Sequence, residues 1–332
     1  MHPDDYWPNS DHSCLLMAAL GAPVEAHAAW LRWSAQNKMT MADAASRRLL
    51  PLVYHNLSQT GDATVDLSAL RLESLRTHVR NKSLFEVLDR VLGALGGNSV
   101  PTMLLKGAAL SLHVYNHAGL RPMTDLDVAV PYDMAERALA ALSSQCDFCA
   151  EPGASLSPLE EKSVTLKNAE GVELDLHFSP FHGRFPWRAI EPLWATATPL
   201  SFRGRQTLIL SPSDQLLHTL AHGARFNRLP GVRWVADAMW IMRQSEDLAW
   251  DAFLMRAEHL RLSIVSAKML RYLKVTHQAD VPQGVLDALN KRISMYEILD
   301  YAKRRSLVRR AGVYAAVRLV KSLPARFQKE RG

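Results

Sequence analysis

Two aspartates separated by one leucine, Asp125 and Asp127 in TDLDVAV, stand in an apolar run that alternates like a strand. Successive side chains of an extended chain point to opposite faces, so Asp125, Asp127 and Ala129 share one side while Leu126, Val128 and Val130 share the other. Carboxylates about 7 Å apart on an apolar strand repel each other and lose hydration. A divalent cation between them reverses that cost. Hard oxygen ligands that leave positions free for water and phosphate oxygens describe magnesium, or manganese in its place, in a phosphoryl or nucleotidyl transfer site. A third carboxylate is expected from VELDLHF, where Val172, Leu174, Leu176 and Phe178 form the apolar face and Glu173, Asp175 and His177 the other. Asp175 lies mid-strand, where a charge needs a reason, whereas Glu173 adjoins the NAEG turn. Asp175 is therefore the candidate.

Lys106 and Gly107, which end the apolar run SVPTMLL, supply the other half of such a site. A glycine at a strand-to-helix turn lets the backbone approach a ligand closely, and a helix N-terminus favours anions. Lys106 and Arg121 add positive charge for a triphosphate. His177 shares the face of Asp175 and is suited to orient it or to touch an acceptor. His218 and His222, four residues apart, share a helix face, but Thr219 stands where a zinc protease motif needs glutamate. They are read as lining a cleft over the sheet, with His222 and Arg225 toward phosphate or acceptor, or else as histidines packed between helices. Asp237, flanked by Trp234 and Trp240, is read as structural, a partner for Arg233 or for one of these histidines.

The elements that must hold these residues follow from periodicity. Residues 13–95 show apolar positions at three- and four-residue spacing, broken at LGAP, SQTGDAT and LGGNSVP. The pattern then changes to strand, helix, strand, helix and a hairpin about NAEG, followed by the strand QTLIL. From Ser211, with an N-cap serine at Ser211 or Ser213, helical period resumes in GVRWVADAMWIMRQ and WDAFLMRAEHLRLSIVSAKMLRYLKVTH. The expectation is an α+β (mixed α/β) protein: an N-terminal helical section over 1–95, a core with a small mixed sheet over 96–210, and a C-terminal helical section with a basic tail over 211–332.

Composition sets the outer limits. With 48% hydrophobic and 22% charged residues the chain is ordinary for a globular protein, and no apolar run is long enough for a membrane span. The polar start MHPDDYWPNSDHSC does not read as a secretory signal, and the odd cysteine count (Cys14, Cys146, Cys149) argues against a disulfide framework; a cytoplasmic location is expected. Cys146 and Cys149 form a C-x-x-C with no second pair to complete a zinc site, and read as partly buried thiols. The formal charge of +6 is concentrated at the end, where residues 301–332 carry ten basic residues against Glu330. That block suits a solvated helix with a frayed basic end, or a contact for acidic or phosphate-rich partners. No G-x-x-x-x-G-K-[ST] loop and no H-R-D element is present, so the usual kinase arrangements are excluded.

LLKG, a following tyrosine and Arg121, TDLDVAV, VELDLHF, LHTLAHG and VRWVADAMWIM together resemble the uncharacterised nucleotidyltransferase family of the polymerase-β superfamily, over roughly residues 45–245. The resemblance implies a polymerase-β-like core with Asp125, Asp127 and Asp175 as metal carboxylates, and Lys106 and Gly107 at the nucleotide phosphates with Arg121 close by. It implies transfer of a nucleoside monophosphate from a triphosphate such as ATP to a hydroxyl or phosphate of a small-molecule, glycan or peptide acceptor, releasing pyrophosphate, with Asp175 also serving as general base. Ala108 departs from the small glycine or serine that usually follows the first glycine. The competing expectation is a non-catalytic nucleotide- or RNA-binding protein with a degenerate core and a basic C-terminal contact.

Overall fold

The computed structural model describes residues 7–59, 66–150, 162–181, 187–224, 232–245 and 248–304. By its contacts the chain divides between Leu248 and Ala249 into two compact units. The first opens with helices α1 (Ser10–Leu20), α2 (Pro23–Gln36), α3 (Ala44–Arg47), α4 (Leu50–Ser58) and the long α5 (Ser68–Gly97). Strand β1 (Met103–Leu104) runs into a short helix, α6 (Lys106–Ala109), and β2 (Asp125–Ala129) is followed by α7 (Ala135–Cys146). Next come β3 (Cys149–Ala150), β4 (Ser163–Lys167), β5 (Glu173–His177), α8 (Trp187–Ala195), β6 (Thr198–Phe202) and β7 (Arg205–Ile209). Helices α9 (Pro212–Gly223) and α10 (Arg233–Gln244) complete this unit. The protein is thus α+β, as its pattern indicates.

The strands form a seven-stranded sheet in the order β3-β4-β5-β2-β1-β7-β6. It is mixed: β2 runs parallel to β5 and β1 parallel to β7, while the remaining pairs are antiparallel. The expected hairpin about NAEG is β4-β5, with Gly171 at φ 78°, a left-handed turn position that suits glycine. Strand β6 was not anticipated. Pro199 breaks its pattern, and an edge strand tolerates such a proline. Ser211 is the N-cap of α9, its side chain accepting from the Asp214 N–H.

Why the carboxylates lie on one side follows from the core. Leu126 and Val128 of β2 and Leu174 and Leu176 of β5 are fully buried in a cluster with Leu88, Val91, Leu92 and Leu95 of α5 and Ala138 and Leu142 of α7. Each such side chain contributes about 1.5–3 kcal/mol on burial, so the apolar face is fixed and the alternate residues turn away from it. Helix α5 also ties down the loop before β2. Asn81, fully buried, donates through Nδ2 to the carbonyls of Ala118 (2.7 Å) and Arg121 (2.8 Å), and its Oδ1 accepts from the Met123 N–H (3.2 Å).

The second unit contains α11 (Trp250–His259), α12 (Ser263–His277), α13 (Gln283–Lys291) and α14 (Met295–Arg304). The sequence reads α11 and α12 as one helical stretch, but Arg261 at φ 52° breaks it. Glu297 of α14 caps α12, accepting from the Ile264 N–H at 2.6 Å. The basic residues from Arg305 onward lie outside the described residues. Among the described residues no helix is long and apolar enough to cross a membrane.

Candidate functional site

In the parallel β2-β5 ladder Asp125 lies opposite Glu173, Asp127 opposite Asp175 and Ala129 opposite His177. The polar faces of the two strands therefore bring Asp127, Asp175 and His177 together, each offering a ligand atom within 4.8 Å of the others. His177 Nε2 lies 2.9 Å from Asp127 Oδ1, and the Lys106 ammonium pairs with the same oxygen. Asp175 Oδ1 accepts from the Thr165 hydroxyl of β4 at 2.6 Å, and Asp125 Oδ1 from the Thr124 hydroxyl at 3.1 Å.

Charge separates the two aspartates of β2. Burial pushes the pKa of Asp125 up, the negative charges of Asp127 and Asp175 add to that rise, and Lys106 only partly offsets it. Burial acts on Asp127 in the same sense, but the hydrogen bond from His177 and the charge of Lys106 outweigh it and hold that carboxyl well below the ordinary range. The carboxylate row thus carries more negative charge than its one lysine balances. Asp127 Oδ2 also accepts no hydrogen bond among the described residues, because both partners converge on Oδ1. Among the described residues Asp127 and Asp175, with His177, are the groups whose donor atoms lie close enough together to hold a metal ion, and Asp125 adds a further carboxylate on the same face of β2.

Asp125 and Asp127 open into a cleft of about 290 Å³ lined also by Lys106, Gly107 and Arg121, with His218, His222 and Gly223 of α9 and Arg233, Trp234 and Asp237 of α10 across it. Ala45 and Arg48 of the α3 region also line it. Helices α9 and α10 meet closely: a Cβ at Gly223 would come within 2.4 Å of Trp234 Cβ.

Residues 37–277 match the uncharacterised nucleotidyltransferase family. The chain belongs to this family. It is a nucleotidyltransferase, an enzyme that moves a nucleoside monophosphate group. A search of the curated proteins finds no match. Among solved structures, the antibiotic-resistance factor ANT(2'')-Ia in solution is 12% identical, with a TM-score of 0.36 over 60% of this chain and 97% of that one. The crystal structure of an antigenic nucleotidyltransferase-like protein from Paracoccidioides brasiliensis is 14% identical, with a TM-score of 0.37 over 64% of this chain and 95% of that one.

Several predicted residues of the transferase sit in ways the sequence does not reveal. Arg121 lines the cleft but is spent on protein: its Nε and Nη2 donate to Asp237 Oδ1 and Oδ2, each at 2.9 Å, and the Tyr115 hydroxyl adds a bond to Oδ1 at 2.8 Å. Asp237 is structural as read, yet its principal partner is Arg121, with Arg233 Nε at 3.8 Å. Gly107 is needed less for backbone freedom than for space, since a Cβ there would lie 2.9 Å from Met123 Sδ and 3.1 Å from Arg121 Nη1. The left-handed backbone of this turn falls on Lys106 itself, at φ 43°. His218 is deeply buried, and burial followed by the nearby Lys106 and His177 charges pushes its pKa down to about 3, so it is neutral. His222 does line the cleft, while Arg225 lies outside the described residues.

Sequence reasoning passes over Arg48 altogether. Nothing in the helical pattern around it marks a residue that a fold brings to a strand 77 positions later, beside Asp125. Arg233 and Asp237, by contrast, have the four-residue spacing of a helical ion pair.

Proposed function

We propose that the transferase is magnesium-dependent, with manganese as a substitute. It would move the nucleoside monophosphate of a nucleoside triphosphate to a hydroxyl or phosphate oxygen of a small-molecule, glycan or peptide acceptor, releasing pyrophosphate in the cytoplasm. The observation that carries this reading is the row Asp125, Asp127 and Asp175 on one face of two parallel strands, its negative charge only partly balanced from within. In this reading residues 96–210 act as the transferase core, and helices before and after it within Tyr6–Leu248 wall the cleft.

Bound magnesium would lower the pKa of the acceptor oxygen and neutralise charge on the phosphates. The chain's own residues do the placing. Lys106 and Gly107 receive phosphate oxygens at the start of α6, and Asp175 accepts the proton of the acceptor hydroxyl on a carboxylate oxygen. Thr165 steadies its Oδ1, and His177 fixes the rotamer of Asp127. Arg121, its charge matched by Asp237, holds the cleft wall close to the phosphates. His222 faces the bound substrate from α9.

Calorimetric titration of each nucleoside triphosphate into wild type and Asp125→Asn/Asp127→Asn, with magnesium and with chelator, tests the proposal. Magnesium-dependent binding lost in the double variant is the expected result. Binding that ignores both magnesium and the substitutions would overturn it.

A further inference from the structure

Four cations line the cleft, and they are not used alike. Lys106 is paired with Asp127, and Arg121 with both oxygens of Asp237. Arg233 gives Nη1 to the Pro122 carbonyl at 2.7 Å, and its Nε stops 3.8 Å from an Asp237 that Arg121 and Tyr115 already occupy. Arg48 makes no ion pair or hydrogen bond through its guanidinium among the described residues, although the side chain lines the cleft. Arg233 thus shares Asp237 with Arg121, and Arg48 has the charge of Asp125 near it but no direct partner, so the positive charge of the two guanidinium groups is only partly balanced.

Resting on the reading above, we propose that Arg48 and Arg233 form a subsite for the β- and γ-phosphates of the nucleotide. A guanidinium fork matches phosphate oxygens two at a time, and such charge-assisted bonds are among the strongest polar contacts. Burial lowers the pKa of both arginines, and Asp125 for Arg48 and Asp237 for Arg233 offset only part of this against the like charge of Arg121, so an oxyanion between them relieves a cost the folded protein otherwise carries.

Position selects the nucleotide rather than the acceptor. In an in-line displacement, acceptor and departing pyrophosphate lie on opposite sides of the α-phosphorus. Asp175, suited to the acceptor proton, stands opposite Asp127, whereas the carboxylate that Arg48 feels is Asp125, one step further along the row. Arg48 therefore stands toward the Asp125 end of the row, on the side proposed for the departing pyrophosphate, and Arg233 lines the same cleft within reach of the Arg48 charge.

The test is calorimetry in magnesium with nucleoside triphosphates, inorganic pyrophosphate and, by competition, nucleoside monophosphates, on wild type, Arg48→Gln, Arg48→Lys and Arg233→Gln. Thermal melting checks that each variant is folded. Losing one fork should weaken triphosphate and pyrophosphate about tenfold and leave monophosphate unchanged, with Arg48→Lys intermediate. Folded arginine variants that bind triphosphate like wild type, or that weaken monophosphate as much as triphosphate, would remove the subsite and leave the transferase reading standing. A wild type that binds no triphosphate would remove both.

Discussion

Two buried carboxylates near the cleft, Asp127 and Asp237, are each matched to a cation, and the manner of the match differs. Arg121 and Asp237 are joined through two parallel bonds with side-chain exposures of 4% and 6%, and Tyr115 completes the carboxylate. Lys106 meets one oxygen of Asp127 as a point charge on a flexible stem, and its own side chain is 15% exposed. The first pair cannot open without stranding a charge in the core. In the function proposed above, the second exchanges its lysine for a metal ion. On that proposal the same chemistry of opposite charges serves as scaffold in one place and as working surface in the other.

The sharpest way to break this contrast is Asp237→Ala, which leaves Arg121 buried and unpaired. It should cost about 3–5 kcal/mol in denaturant unfolding, and Arg121→Met/Asp237→Leu should cost less than the single change. Asp127→Asn is the counterpart: a loss of about a hundred- to a thousandfold in turnover, with an unfolding midpoint closer to wild type than that of Asp237→Ala. Were Asp127→Asn to unfold the protein as badly, the distinction between scaffold and working pair would fail. Asn81→Ala removes three hydrogen bonds to the loop that carries Arg121 and should cost about 1–3 kcal/mol, measured by the same unfolding curve. Gly107→Ala, pressed against Met123 and Arg121, belongs at the lower end of the ~1–3 kcal/mol typical of overpacking, and should raise the KM for triphosphate in a protein that still melts cooperatively. An unchanged KM there would separate Gly107 from the phosphate site.

How much of this the sequence makes legible depends on the range of the interaction. Asp125, Asp127 and Asp175 are readable because strand alternation is local: Asp127 and Asp175 each sit between apolar residues, and Asp125 precedes Leu126, whose burial turns its neighbours to the other face. The hairpin β4-β5 and the Ser211 cap are readable for the same reason. The fate of Arg121 is not, since Asp237 lies 116 residues away and either residue would look equally at home with a nearer partner. The break at Arg261 escapes because an arginine carries no local mark of left-handed backbone. Asn81 is hidden within a long helical run, where asparagine usually reads as a solvated position, and only its loop partners 37–42 residues on explain it.

The register of β2 on β5 gives the site a property of its own. Because side chains alternate with period two, a slip of one residue in this pairing would not shift the carboxylates slightly; it would turn Asp125 and Asp127 under α5 and expose Leu126 and Val128. No intermediate alignment satisfies both faces. A chain paired wrongly here fails as a folded protein before it can act as a careless enzyme, so the fidelity of the carboxylate geometry is inherited from the oil on the opposite side of the sheet.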